Sequence, residues 1–178
     1  MPTKYEGETQ NGKRHGYGIL TLSNGDVYEG NFKNGKYDGQ GKIISNGIVV
    51  YEGNFKDNKY HGRGKYIDSD GDIYEGLFDN NNFNGEGILI KNGDSFEGIF
   101  VDNYIQGNGI YKSKYGDIYE GNFIDGEFNG QGKLTYKNGD IYEGNFENDE
   151  YNGQGKLTKS NGDIYEGDFK DNVFVIFI

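Results

Sequence analysis

Apolar and polar residues alternate along this chain with a period of two, in short runs that end at glycine, asparagine or aspartate. In the run Tyr28–Phe32, for example, Tyr28, Gly30 and Phe32 would share one face of a strand. The run Gly130–Leu134 alternates in the same way. The asparagine, aspartate and glycine residues between such runs favour tight turns. The pattern therefore predicts a succession of strands and turns, and with it an all-β protein.

The same pair of runs returns along the whole chain every 22 or 23 residues. We count the first aromatic residue of each repeat as offset 0. Phenylalanine stands at offset 4 in seven copies, an aromatic residue at offset 9 in six, and glycine at offsets 11 and 13 in seven full repeats. The aromatic-Glu-Gly tripeptide that opens each repeat begins at Tyr5, Tyr28, Tyr51, Tyr74, Phe96, Tyr119, Tyr142 and Tyr165. The sequence thus predicts a single array over residues 1–178, with seven full repeats and a partial eighth.

The alternation also predicts a register for each hairpin. If the hairpin is symmetrical, offset 4 lies opposite offset 11, offset 2 opposite 13 and offset 0 opposite 15, so that each phenylalanine covers a cross-strand glycine. On the other face, glutamate at offset 1 would lie opposite lysine at offset 14. The predicted pairs are Glu29–Lys42, Glu52–Lys65, Glu120–Lys133 and Glu143–Lys156. Because one hairpin cannot bury its aromatic face, we expect an elongated, twisted and open single antiparallel sheet of tandem β-hairpins, a β-meander.

Composition narrows the class of protein. The 178 residues include 32 glycines, one proline and no cysteine, which argues against long helices, collagen and disulfide-linked scaffolds. The 16 tyrosines and 12 phenylalanines are too many for a disordered chain. A net charge of −11 argues against nucleic-acid binding and disfavours anionic phospholipid as a partner. With no secretory signal and no apolar span, we expect a cytoplasmic protein, with the cytoplasmic side of a membrane or the cytoskeleton as alternatives.

The residues present no catalytic, cofactor or metal site, so we predict that the protein is not an enzyme. His15 and His61 both stand at offset 10, where other repeats have aspartate or asparagine, and we interpret them as turn residues. The segment Asp68–Asp72 is similar to a calcium loop, but the sixth position is Ile73 instead of glycine, and the segment aligns with an ordinary turn. Successive glutamates at offset 1 would lie about 9–10 Å apart, too far to share a metal ion.

The combined pattern resembles a known family. The segment Tyr28–Lys42, YEGNFKNGKYDGQGK, is similar to the membrane occupation and recognition nexus repeat, the MORN repeat, and the resemblance extends over all eight copies. One departure is phenylalanine at offset 4, where the family often has tryptophan. The resemblance implies a single sheet of hairpins and a non-enzymatic scaffold, spacer or dimerisation platform. It also implies two alternatives: a peripheral phospholipid-associated module, and an accessory docking segment of a larger phosphoinositide kinase or lysine methyltransferase.

Two sets of residues are candidates for contact with an unidentified protein partner. The first is the aromatic face, which either packs entirely as the core or remains partly open as a groove for a peptide or a second copy. It consists of Tyr28, Phe32, Tyr51, Phe55, Tyr74, Phe78, Phe96, Phe100, Tyr119, Phe123, Tyr142 and Phe146.

The second set is the apolar end of the chain, where the eighth repeat loses its Gly-x-Gly pair. It consists of Val173, Phe174, Val175, Ile176, Phe177 and Ile178. Three interpretations stay open: an end strand that pairs with another copy in a homodimer, a cap folded onto the aromatic face, or the truncation of a longer array.

Overall fold

The computed structural model describes residues 2–176, and this part of the chain contains no helix. Sixteen strands form one open antiparallel sheet in which spatial order follows chain order. The prediction of an all-β meander is confirmed. The strands are β1 (Lys4–Gln10), β2 (Lys13–Thr21), β3 (Val27–Lys33), β4 (Lys36–Ser45), β5 (Ile48–Lys56), β6 (Lys59–Ile67), β7 (Ile73–Asp79), β8 (Asn82–Lys91), β9 (Asp94–Val101), β10 (Tyr104–Lys112), β11 (Ile118–Ile124), β12 (Glu127–Thr135), β13 (Ile141–Glu147), β14 (Glu150–Thr158), β15 (Ile164–Lys170) and β16 (Val173–Phe174).

The chain divides into two compact units, the first ending at Gly87 and the second beginning at Ile88, inside β8. The first unit contains the hairpins β3–β4 and β5–β6, and the second contains β9–β10, β11–β12 and β13–β14. The same hairpin architecture recurs in each unit.

Each repeat hairpin closes through a two-residue turn in which both residues have positive φ. In the second repeat these are Asn34 and Gly35, with φ of 53° and 88°, and in the third they are Asp57 and Asn58, with φ of 51° and 69°. Two such residues make a type I′ turn, whose twist matches that of the flanking strands. Asparagine, aspartate and glycine tolerate this conformation better than other residues, which explains their recurrence at offsets 6 and 7.

The predicted register is correct in the half of the hairpin away from this turn and wrong near it. Gly30 lies opposite Gly41 and Tyr28 opposite Ile43, as predicted. Phe32, however, lies opposite Tyr37 at offset 9, because the pairing shifts at a bulge between Gly30 and Phe32. The two-residue turn sets the register of the residue pairs beside it, and the Gly–Gly pair sets the register farther from the turn. The bulge accommodates the difference between these two registers.

The predicted pairing of phenylalanine with glycine does occur, but it joins neighbouring repeats. Gly39, at offset 11 of the second repeat, lies opposite Phe55 of the third. Gly62 lies opposite Phe78 in the same way. Phe55 thus pairs with the preceding repeat, and its ring also meets that of Tyr28 there at 5.1 Å, which makes this contact part of the interface between hairpins.

The core is built from aromatic rings that each pack between two cross-strand glycines and a second ring. We call the glycine pair, at offsets 2 and 13, the glycine floor. In the second repeat, the ring of Tyr28 lies over Gly30 and Gly41, and a Cβ atom on Gly41 would come within 2.5 Å of the tyrosine hydroxyl oxygen. Tyr37 stacks on the other face of the Tyr28 ring, with centroids 3.7 Å apart. Phe32 and Phe55 close its edges at centroid distances of 5.0 and 5.1 Å.

The hydroxyl group of the same tyrosine donates a hydrogen bond to a main-chain carbonyl oxygen at the bulge. Tyr28 donates to the carbonyl oxygen of Asn31 at 2.8 Å, and Tyr51 donates to that of Asn54 at 2.7 Å. Both acceptors lie at offset 3, where the ladder is interrupted, so the phenol gives a partner to a main-chain oxygen inside the bulge. Burial raises the pKa of the equivalent residues Tyr74, Tyr119 and Tyr142 to about 12.

The glycine floor generates a stability prediction. A Cβ atom on Gly53 would lie 2.5 Å from the Cα of Gly64 and 2.6 Å from the carbonyl oxygen of Arg63, so Gly53→Ala forces backbone apart. We expect it to destabilise the fold by about 1–3 kcal/mol. The measurement is the midpoint of thermal or urea unfolding followed by circular dichroism.

Gly98→Ala is the matched control, because Gly98 occupies the same offset in the fifth repeat. Its added Cβ would meet the mobile end of Ile105, with Cδ1 at 2.9 Å, before any backbone atom. We expect a clearly smaller loss of stability. Equal losses for both variants would contradict the glycine floor as the origin of the effect.

Candidate interaction surfaces

Most of the predicted aromatic face lies in the interior. Eleven of its twelve side chains are only 0–3% exposed, and Phe96 is half-buried. The eleven buried side chains form an inner layer at offsets 0 and 4, in which the tyrosines lie directly on the glycine floor. The inner layer is Tyr28, Phe32, Tyr51, Phe55, Tyr74, Phe78, Phe100, Tyr119, Phe123, Tyr142 and Phe146. A partner on this side of the sheet would therefore first meet the residues that cover the inner layer.

Those covering residues are the half-buried side chains at offsets 9 and 15, which we call the outer layer. In the first unit it includes Tyr37, Tyr60, Tyr66 and Phe83, and in the second unit Tyr111 and Phe128. The ring of Tyr66 lies 6.1 Å from that of Tyr60 and 6.4 Å from that of Phe83. Tyr60 and Phe83 stack on inner tyrosines below them, whereas Tyr66 is tilted between the two, and all three rings are partly open above. The aromatic character of offset 9 is visible in the sequence, but its position above offset 0 is not.

The opposite face of the sheet carries alternating charges, as the predicted register requires. All four predicted Glu–Lys pairs lie directly opposite one another. Each lysine also lies opposite the glutamate of the next repeat, so Lys42 contacts Glu29 at 2.9 Å whereas Lys133 contacts Glu143 at 3.3 Å. These pairs are partly or largely exposed, and each contributes only about 0–1 kcal/mol. The Glu–Lys pairs therefore specify the register of the strands more than they stabilise the fold.

Apolar residues interrupt this charged face at the start of the second unit. Ile88 stands at the lysine position, and Ile99 and Val101 follow Glu97 on the same face of β9. With Ile90 and Ile124 they are between 41% and 49% exposed. This apolar patch was not predicted from the sequence.

Near the end of the described residues the chain forms a short strand. Val173 and Phe174 make up β16, which pairs with Lys170 and Phe169. Val173 is 64% exposed and Ile176 is 74% exposed, whereas Phe174 is half-buried against Phe169. Val175 is half-buried and donates its amide to the carbonyl oxygen of Asp168 at 2.8 Å. Phe177 and Ile178, the last two residues of the predicted self-association segment, lie outside the described residues.

Other candidate chemistry lies in turns or at isolated positions. His15 lies in β2 and His61 in β6, so the interpretation of both as turn residues is wrong. His61 contacts the carboxylate of Asp79 at 3.2 Å, and His15 is half-buried. Asp68 accepts the backbone amides of Asp70 and Asp72 within its turn. Over residues 2–176, no group of three histidine, cysteine, aspartate or glutamate side chains is placed to hold a metal ion. In the same range no helix is long and apolar enough to cross a membrane.

Comparison with known families decides the classification. A model of the MORN repeat matches residues 5–27, 28–47, 51–73, 74–95, 96–117, 119–141 and 142–164. The chain belongs to the MORN repeat family. MORN repeats are in general a non-catalytic repeat module that serves as a scaffold or interaction module. The seven matched segments coincide with the seven full repeats predicted from the sequence.

Comparisons with individual proteins add little to the MORN assignment. No curated protein matches this chain. One similar solved structure is the SAS-4 (dCPAP) TCP domain of Drosophila melanogaster in complex with a proline-rich motif of Ana2 (dSTIL); it is 14% identical, with 84% of this chain and 81% of that chain covered and a TM-score of 0.48. Two structures of virginiamycin B lyase from Staphylococcus aureus are each 14% identical over 94% of this chain and 60% of theirs, with TM-scores of 0.19 and 0.20. None of these TM-scores is high enough to support a statement about function.

Adjacent MORN repeats are joined at their turns by a pair of reciprocal hydrogen bonds. The amide of Asn58 donates to the carbonyl oxygen of Tyr37 at 3.0 Å, and the amide of Tyr37 donates to the Oδ1 atom of Asn58 at 2.8 Å. Asn81 and Tyr60 repeat the arrangement at 3.2 and 2.9 Å. Because Tyr37 and Tyr60 belong to the outer layer, these bonds fix the backbone that carries the outer rings.

The opposite edge of the MORN array is joined through an aspartate near offset 21. Asp140 accepts the amide of Ser160 at 2.8 Å and contacts the ammonium of Lys159 at 2.9 Å, both in the next repeat. Lys159, together with that amide, holds the pKa of the Asp140 carboxyl at about 2. Asp117 accepts the amide of Lys137 in the equivalent way at 2.8 Å.

The reciprocal bonds predict that Asn58→Gly weakens the contact between the second and third repeats. Glycine keeps the positive φ but removes the acceptor for the Tyr37 amide, which we expect to cost about 1 kcal/mol. Asn34→Gly is the control, since Asn34 has φ of 53° in the same kind of turn but makes no such contact with another repeat. Chemical denaturation of both variants measures the difference. Equal stability of the two would show that the side-chain bond contributes nothing.

Proposed function

We propose that the protein is a scaffold that holds a protein partner against its outer layer. The observation that carries this proposal is the partial exposure of neighbouring outer rings such as Tyr60 and Tyr66 above a fully buried inner layer. Rigid aromatic rings supported from below give contact area with little loss of side-chain entropy on binding. Because the inner layer already stabilises the fold, the outer rings are available for contact.

The charge of the protein indicates the chemistry of the partner. The net charge is −11, and carboxylates lie beside the outer layer: Asp94 accepts the hydroxyl of Tyr111 at 3.0 Å. Asp38, next to Tyr37 in sequence, is half-buried near Tyr28. We therefore propose a partner segment that combines apolar side chains with lysine or arginine. The same charge argues against the phospholipid-associated alternative.

The proposal can be tested by selection from a random twelve-residue peptide library on the full chain. We expect enrichment of peptides that contain aromatic or aliphatic residues together with basic ones. A selected peptide should bind Tyr66→Ala about tenfold more weakly than the unaltered protein, because its contact ring is lost.

Tyr115→Ala is the control, since Tyr115 is 68% exposed in a turn outside the outer layer. It should bind the same peptide with unchanged affinity. Selection of no peptide, or equal loss in both variants, would contradict the outer layer as the contact surface.

Self-association through the end of the chain is a second candidate. The observation in its favour is the exposure of the apolar residues Val173 and Ile176 beside the short strand β16. Such a strand end is a template for pairing with another chain. We propose that it joins two copies.

The light-scattering mass of the full chain at tens of micromolar tests this second candidate. We expect a species heavier than the monomer of 20.0 kDa, and conversion to the monomer by Ile176→Lys. Val49→Lys, at an exposed apolar residue of β5, is the control and should leave the mass unchanged. A monomeric full chain would overturn the self-association proposal.

A further inference from the structure

The hairpin tips of the first unit carry mostly positive charge. We define a tip as the residues at offsets 5 to 8, which are the two turn residues and the residue on either side of them. The four tips of the first unit contain five lysines and two aspartates, and all seven side chains are exposed. We call these residues the basic row: Lys13, Lys33, Lys36, Lys56, Asp57, Lys59 and Asp79. The basic row is a local exception in a protein with a net charge of −11.

The hairpin tips of the second unit carry the opposite charge. The four tips there contain seven carboxylates and one lysine, again all exposed. We call these residues the acidic row: Asp102, Asp125, Glu127, Glu147, Asp149, Glu150, Lys170 and Asp171. Every tip in both units has two turn residues of positive φ, so the charge reverses on the same backbone geometry.

Like charges lie directly opposite each other in both rows. Lys56 lies opposite Lys59 across the third turn, and the same two positions of the second repeat are also lysines. Glu147 lies opposite Glu150 across the seventh turn. Directly opposed like charges destabilise a sheet. A group of the opposite sign placed against such a tip would offset that cost.

Contacts within the first unit neutralise only part of the basic row. Lys36 contacts the carboxylate of Asp57 at 2.8 Å, whereas Lys59 donates to the uncharged amide oxygen of Asn80 at 3.1 Å. A recess of about 240 Å³ lies beside these tips, lined by the two opposed lysines of the third tip, by His61 and Asn80, and by the two aspartates of the row. It has room for one carboxylate side chain and a few water molecules.

We propose that the basic row of one copy binds the acidic row of a second copy. Successive tips are separated by two strands, about 9–10 Å, so the spacing is the same in both rows and acidic tips can face basic tips one by one. We place the tip of Lys56 and Lys59 against the tip of Glu147 and Glu150, because both have directly opposed like charges. The proposal depends on neither the outer layer nor the end of the chain, since it uses different residues from both.

A second copy is the occupant that matches the basic row in spacing, in turn geometry and in its opposed pairs. The net charge of −11 opposes self-association, but that repulsion acts over long distances and is screened by salt. Charges that meet across the two rows are closer than the Debye length, which is about 10 Å at an ionic strength of about 0.1 M. Because pairs of exposed charges are individually weak, we expect the contact at hundreds of micromolar, above the concentration that tests the end of the chain.

Charge reversal tests the proposal by sedimentation equilibrium of the full chain. One variant carries Lys56→Glu with Lys59→Glu, and the other carries Glu147→Lys with Glu150→Lys. At an ionic strength of about 0.1 M, we expect each variant alone to associate about tenfold more weakly than the parent chain, because like charges then meet across the rows. A mixture of the two variants should regain the association, because each supplies the charge that the other lost. Raising the ionic strength to about 0.5 M should weaken the association of the parent chain.

The controls separate this contact from other forms of association. Every chain, including the parent, also carries Ile176→Lys, which removes the contact proposed for the end of the chain, and circular dichroism checks that the sheet is retained. Lys91→Glu with Lys112→Glu changes the net charge as much as Lys56→Glu with Lys59→Glu does, but at exposed positions outside the tips, and it should leave the association unchanged.

Three results would overturn the proposal: equal weakening in this control, no recovery in the mixture, or monomers at both ionic strengths. A monomeric chain that binds phosphatidylserine vesicles, and loses that binding with Lys56→Glu and Lys59→Glu, would assign the basic row to a lipid surface and would overturn it as well.

Discussion

The fold depends on the space that a tyrosine ring occupies above two cross-strand glycines. In a sheet with no covering layer, an apolar side chain that stands upright would be exposed on several sides. Here the ring of Tyr51 lies along the sheet over Gly53 and Gly64, and Tyr60 closes it from above at a centroid distance of 3.7 Å. The three-layer stack of backbone, ring and ring buries Tyr51 completely within a single sheet. The bulge, the hydroxyl contact to Asn54 and the two-residue turn are arranged around that stack.

The stack also determines which side chains of each repeat remain accessible to other molecules. Because the inner rings lie over the glycines, the partly open rings of the repeats with a buried inner layer are outer ones such as Tyr37, Tyr60 and Tyr66. The backbone of Tyr37 and Tyr60 is fixed by the turn of the next repeat, so this part of the outer surface depends on the neighbouring repeat as well as on the hairpin itself. A MORN array can therefore vary its outer residues while the inner layer and floor stay the same. Such variation suits a scaffold whose specificity lies in surface rings and flanking charge.

Much of this arrangement could be predicted from the sequence, and the failures have physical causes. Period-two alternation and the Gly-x-Gly pairs indicated the strands, the repeat and the pairing of Glu29 with Lys42. The position of Phe32 was wrong, because a bulge adds residues to one strand without changing the apparent alternation. The sequence left two alternatives open for the aromatic face, a fully packed core or a partly open groove, since alternation identifies the side of a sheet but not the distance of a ring from it. Only the stacking of Tyr37 on Tyr28 distinguishes the outer layer from the inner one.

The most direct test of the ring-and-floor account is a spectrophotometric titration of the tyrosines at alkaline pH, recorded together with far-ultraviolet circular dichroism. Burial raises the pKa of Tyr74, Tyr119 and Tyr142 from 10.0 to about 12, so these phenols stabilise the fold below pH 10 and lose that contribution as the pH rises towards 12. The predicted result is two phases: exposed tyrosines ionise first with the sheet intact, and the inner-layer tyrosines ionise later, together with loss of the sheet signal. Ionisation of all 16 tyrosines in one phase near pH 10 with the sheet intact would contradict the buried inner layer.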